Sequence, residues 1–204
     1  MGFGCGGPAD IAATGNGPCQ PNPGQSAAPP GCAQESAILI TLPPGAYTAI
    51  QSGVGGANGV GLIEVFEADG GGSPTKLINI STRGRIENGD NVLIGGFVIS
   101  GSSVKTVGVR ARGPSLAGAP FFVPETLANR FLRIFSGATV IASNDNWQDL
   151  QPAQIIAAGL SPCEPNPGQA TPPDNCAQES ALVVSLPPGA YTAIVTGVAD
   201  GTGV

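Results

Sequence analysis

The chain has 204 residues, 14 acids against 8 bases for a net charge of −6, and no histidine. Without histidine, Ser-His-Asp triads, His-activated cysteines and conventional zinc sites are excluded, and the acidic balance argues against a nucleic-acid surface. No run of 18 apolar residues occurs, so no membrane-spanning helix is expected.

Glycine (32) and proline (20) punctuate short β-branched runs, the pattern of an all-β fold. No basic stretch followed by an apolar segment opens the chain, so a secretory signal is expected to lie outside it or to have been removed. Cys5 comes first, then PADIAATG (8–15), one or two helical turns with proline near the start. Cys19 and Cys32 bracket twelve residues rich in proline and glycine. ESAILITL (35–42) reads as a strand, Pro43-Pro44-Gly45 as a tight turn, YTAIQSGV as the returning strand and GVGLIEVFEA (59–68) as the next. After an exposed DGGGSPT loop come LINIST, NVLIGGFVIS and SVKTVGVRARG, strands separated by NGD and GSS turns. PSLAGAPFFVPETL is an irregular crossover, and RFLRIF with ATVIASN forms a hairpin around SGA that ends at DNWQD. PAQIIAAG, a second twelve-residue cysteine loop (Cys163 to Cys176), ESALVVSL, Pro187-Pro188-Gly189 and YTAIVTGV then repeat the opening.

At an offset of 144 residues, positions 18–60 match 162–204 at 27 of 43 places without a gap. Ile38/Leu182, Leu39/Val183 and Ile40/Val184 change atoms and keep strand character. This drift points to duplicated structural units. The expected fold is a β-sandwich, jelly-roll or immunoglobulin-like, with eight or nine strands per period of about 144 residues and a duplicated half-domain. Residues 1–75 read as a back half with its cysteine loop, 76–144 as a front half, and 145–204 as a second back half without the strand that GLIEVFEAD supplies in the first. An open edge of that kind invites strand addition, with Leu62, Ile63 and Val65 of the first copy and Val183, Ile194 and Val204 of the second as candidate assembly residues.

LPPGAYTAIVTGVADGTG (186–203) resembles the penultimate hairpin of bacterial pre-peptidase C-terminal-type β-sandwiches and related secreted repeat domains. STRGRIENGDNVLIGGFVISG, KTVGVRARGPSL and ASNDNW are similar to the other half of tandem β-domains in large bacterial secreted proteins. The resemblance implies a secreted accessory or adhesive module and brings no catalytic residue.

The cysteine loops read as one disulfide each, Cys19–Cys32 and Cys163–Cys176, in an oxidising compartment; free thiols are the alternative. Cys5 is left over, as a free thiol or an intermolecular bridge. All eight bases lie between Lys76 and Arg133 with only Glu87, Asp90 and Glu125 among them, whereas the remaining eleven acids have no base beside them. A basic front half and acidic back halves attract; solvent-facing decoration is the plainer reading.

No catalytic or cofactor-binding set emerges, so an enzyme is not expected. Glu64 and Glu67 point to opposite faces of a strand. GGGSP and GVGGANGVG lack the lysine and helix of a phosphate loop. Asp145 and Asp149, with Asn144 and Asn146, carry the oxygens calcium prefers but not the EF-hand spacing; the alternative is an Asx-rich turn anchored by Trp147. The expected function is a non-enzymatic extracellular or cell-surface subunit of a fibre or surface assembly, partnered by copies of itself and joined head to tail. The alternative is part of a large adhesin, or a carbohydrate-binding accessory module of a secreted hydrolase, which would need aromatic platforms from Trp147, Tyr47 and Tyr191.

Overall fold

The computed structural model describes residues 5–21, 25–57, 59–69 and 74–204. Parts of the DGGGSPT loop, of GVGGANGVG and of the first cysteine loop lie outside the described residues. The chain divides into two units, Met1–Ile80 and Ser81–Val204. No helix among the described residues is long and apolar enough to cross a membrane.

The second unit holds six strands: β1 (Leu93–Ile99), β2 (Lys105–Ala111), β3 (Arg130–Ser136), β4 (Thr139–Asn144), β5 (Ser180–Leu186) and β6 (Gly189–Gly197). They form two antiparallel sheets, ordered β1-β6-β3-β4 and β2-β5, an arrangement consistent with a β-sandwich. Alternation along β3 sends Arg130, Leu132 and Ile134 inward and leaves Phe131, Arg133 and Phe135 half-buried on the other face. There the Arg133 guanidinium lies 5.6 Å from the centre of the Phe131 ring and 5.9 Å from that of Phe135. Leu132 pairs with Val195 and Ile134 with Ala193. These four join Ala111, Leu182, Ile86 and Leu127 in one core, so apolar groups of both sheets meet. Full burial of a side chain such as Leu132 or Ile134 stabilises the fold by roughly 1.5–3 kcal/mol. A second cluster packs Trp147 and Ala181 against Ile155, which the helix Pro152–Ala157 carries.

The repeated turn has a different role from the hairpin its sequence suggests. β5 pairs with β2, and β6 lies between β1 and β3. Pro187-Pro188 therefore turns a corner from one sheet into the other, and the two strands it joins do not pair with each other. The Tyr191 hydroxyl donates to the Pro187 carbonyl at 2.8 Å and braces that corner.

This explains the first unit. Its described residues contain the helix Pro8–Ala13, two short 3-10 turns and an isolated bridge between Cys5 and Ile40, but no strand. The strands expected at ESAILITL, YTAIQSGV, GVGLIEVFEA and LINIST do not form there. Segments that fold by pairing with β1, β2 and β3 in the second copy have no such strands beside them in the first unit. Local features survive: the Tyr47 hydroxyl donates to the Pro43 carbonyl at 2.8 Å, as Tyr191 does to Pro187.

Both cysteine loops close as disulfides, Cys19–Cys32 and Cys163–Cys176, each with Cα atoms 5.1 Å apart. Such bridges fit an extracellular protein.

Candidate functional site

The most densely built polar site of the second unit lies where residues 81–144 meet residues 145–204. Glu179 stands just before β5 and Arg130 opens β3; both side chains are essentially sealed, at 0% and 1% exposure. Glu179 Oε1 accepts hydrogen bonds from the backbone N–H of Gly113 at 3.0 Å and of Ser115 at 2.8 Å. Arg130 Nη1 lies 3.4 Å from the same oxygen. The other end of the guanidinium donates through Nη2 to the carbonyls of Leu127 and Ala128, the latter at 2.9 Å. Burial pushes the Arg130 pKa down to about 10, and the Glu179 charge acts in the opposite direction. The guanidinium therefore stays charged at neutral pH.

The surrounding residues close the same seam. Ser180 Oγ approaches the carbonyl oxygens of Arg130 at 2.6 Å and Asp145 at 2.5 Å. The Trp147 backbone N–H donates to the Glu179 carbonyl at 2.8 Å. Arg112 donates through Nε to Ser115 Oγ at 3.0 Å and through Nη2 to Asn166 Oδ1 at 2.8 Å, while Asn166 Nδ2 donates to the Ser115 carbonyl at 2.8 Å. A Cβ at Gly113 would collide with the Leu127 carbonyl and the Arg130 guanidinium, so this turn needs glycine. These contacts fasten one half of the sandwich to the other; each charged group is committed to a protein partner.

The charge segregation seen in the sequence is thus realised at one buried pair, whereas Arg85 is spent on Glu125 at 2.5 Å and Glu87 at 3.5 Å within the basic segment. Sequence reasoning missed Arg130, Glu179, Gly113 and Ser115 as a set. The signal available was Glu179 standing in an identical CAQES in both copies, at a strand start that an acid has no local reason to occupy.

Among the assembly candidates, Leu62, Ile63 and Val65 are exposed in the first unit. Val183 packs against the Trp147 cluster, and Ile194 sits in central strand β6 opposite Ile94 and Arg133. Val204 exchanges backbone hydrogen bonds with Glu125 and Leu127, both at 2.9 Å. Cys5 is an exposed free thiol.

Asn144 Nδ2 donates to the Asn146 carbonyl at 2.9 Å and Asn146 Nδ2 to Asp149 Oδ2 at 3.2 Å, while Asp145 Oδ1 is buried without a hydrogen-bond partner. Burial raises the Asp145 pKa, with the Asp149 charge adding to the effect and Arg130 opposing it. No group of three or more acids or cysteines able to hold a metal occurs among the described residues. Of the aromatics a carbohydrate platform would need, Trp147 and Tyr191 are buried, leaving Tyr47 half-exposed. Tyr191 instead stacks on Phe97 at 5.5 Å between ring centres. An open groove of about 640 Å³ beside Ile141, Gln151, Val183, Leu186 and Tyr191 contains no acid, base or cysteine. No family model matches the chain, and comparison with curated proteins and with solved structures also gives no match.

Proposed function

We propose that the protein is a non-enzymatic extracellular structural protein, a unit of a fibre or surface assembly built by joining complementary half-sandwiches or strands. One observation carries this reading: β5 and β6 are held entirely by strands of the preceding segment, through a buried Arg130–Glu179 lock. A half-domain of this kind cannot satisfy its own backbone, so repetition of halves along a chain or between chains is a means of assembly. The period of about 144 residues supplies the repeating element. The two disulfides and the low fraction of charged residues, 11%, suit surfaces that are covered by neighbours outside the cell.

Electron microscopy of the purified chain, concentrated under oxidising conditions, tests this reading. Filaments or sheets with a regular repeat are the expected outcome. Dispersed particles at every concentration would remove the assembly function.

A further inference from the structure

We propose that residues 35–53 are an acceptor surface for a basic half-sandwich with the chemistry of residues 81–144, and that Glu35 is its anchoring residue. Four observations converge. First, Glu35 is the position of the first copy that aligns with Glu179. Glu179 is sealed against Arg130 and two backbone N–H groups, whereas Glu35 is exposed. Second, the apolar positions follow the same contrast. Ile38 and Ile50 are 80% and 87% exposed, while their counterparts Leu182 and Ile194 are buried and half-buried. Third, the cover over the second copy is known in detail: β2 lies on β5, and β1 and β3 flank β6. Since 27 of 43 residues are identical, the same cover fits the first copy. Fourth, charge agrees. Residues 1–75 carry five acids and no base, whereas residues 76–144 carry eight bases against three acids.

The occupant is not this chain's own front half as folded here. The chain holds two back halves and one front half, and residues 145–204 occupy that front half through seven residue pairs along β5 and seven along β6 with β1. Exchanging partners between two identical chains would cover one back half by uncovering another, with no net gain in buried surface. The acceptor therefore calls for an additional front half, bearing an arginine at the start of its third strand and a Gly-Pro-Ser turn whose N–H groups face the Glu35 carboxylate. Such a partner would draw Glu35 into a buried, charge-assisted network like that of Glu179.

The inference deepens the assembly reading by naming the joint, and its test does not require that fibres form. A second copy of residues 81–144 is placed directly ahead of Met1 in the full-length chain. The 144-residue offset makes this junction reproduce the native Asn144–Asp145 spacing. Hydrogen exchange is then followed in residues 35–53 and, as an internal control, in residues 180–197. Slowing on the order of a hundredfold in 35–53 is expected, and Glu35→Ala in the same extended chain should abolish it while leaving 180–197 unchanged. Exchange in 35–53 as fast as in the unextended chain, with 180–197 protected, overturns the proposal. Should 180–197 lose protection, a second arm replaces the first. A full-length chain carrying both Glu179→Lys and Glu35→Lys, whose Arg130 is repelled by its own residues 179 and 35 alike, is mixed with the unmodified chain. A heterodimer that disappears with Glu35→Lys in the unmodified partner supports the acceptor, and a strictly monomeric mixture overturns it. Fibres without this coupling would leave the assembly function standing and remove only the Glu35 joint.

Discussion

Arg130 and Glu179 meet at 3.4 Å across the two halves of the sandwich, 49 residues apart in the chain and both out of reach of water. Two buried charges cost solvation that their attraction only partly returns, so such a pair specifies register more than it adds net stability. Removing one partner is different, because the other charge stays buried and uncompensated. Arg130→Met is expected to destabilise the second unit by about 3–5 kcal/mol. Glu179→Gln should cost less than Glu179→Leu, because the amide oxygen still accepts from Gly113 and Ser115. Chemical denaturation followed through the single tryptophan, Trp147, measures all three.

The lowered Arg130 pKa, about 10 against the higher value of a free guanidinium, fixes a pH signature. Between those values the unfolded chain binds the proton that the folded chain has released. Stability from this group therefore rises with pH from about 10 upward and is flat at neutral pH. The difference between the wild-type and Arg130→Met stability curves isolates the effect from tyrosine and lysine titration. A difference curve that stays flat from pH 9 to pH 12 would contradict the burial of this charge.

The two disulfides should behave unequally although their loops are equal in length, with a sequence separation of 13 in each. Cys163→Ser with Cys176→Ser removes a constraint on a loop whose Cys176 is buried and whose Asn166 holds the Ser115 turn. A loss of about 3 kcal/mol in the second unit is expected. Cys19→Ser with Cys32→Ser should leave the Trp147-reported transition unchanged, since that loop belongs to the other unit.

Trypsin offers a test of the two-unit division. Lys76 and Arg83 are exposed and lie outside any strand, so cleavage there should come first. Arg130 is sealed and Arg133 sits within β3, so the second unit from Gly84 onward should persist as a resistant product. Simultaneous cutting at Arg83 and Arg133 would mean that the strands open far more readily than their pairing indicates.

Much of the second unit could be read from the chain because period-two alternation and turn residues are local signals. RFLRIF, ATVIASN and NVLIGGFVIS all form strands close to where those signals place them. The first unit departs from its local signals for the same reason. ESAILITL has every local mark of a strand, yet its counterpart ESALVVSL folds by pairing with Lys105–Ala111, 69 to 81 residues away. Nothing local reveals that Pro187-Pro188-Gly189 is a corner between sheets, since proline and glycine suit a corner as well as a hairpin. The buried lock escaped notice because an acid at a strand start reads as solvent-facing until its long-range partner is known.

Strand addition gives the last expectation. Sheet β2-β5 has only two strands, so each has an edge that no other described strand pairs. GLIEVFEAD (61–69) is an apolar segment with strand character that forms no strand in the first unit. Its Leu62, Ile63 and Val65 are exposed in the first unit, so they are available for burial elsewhere. A synthetic peptide of residues 61–69 is therefore expected to bind the full-length chain and to slow amide exchange along β2 or β5. A scrambled peptide of the same composition should do neither, because one-residue shifts of register send the apolar side chains to the wrong face. Binding should raise the midpoint of thermal unfolding, which should go on climbing with the logarithm of peptide concentration after the site is saturated. If exchange along both strands is unchanged at millimolar peptide, strand complementation fails as the joint, and half-domain complementation of Glu35 by an additional front half is left as the route to assembly.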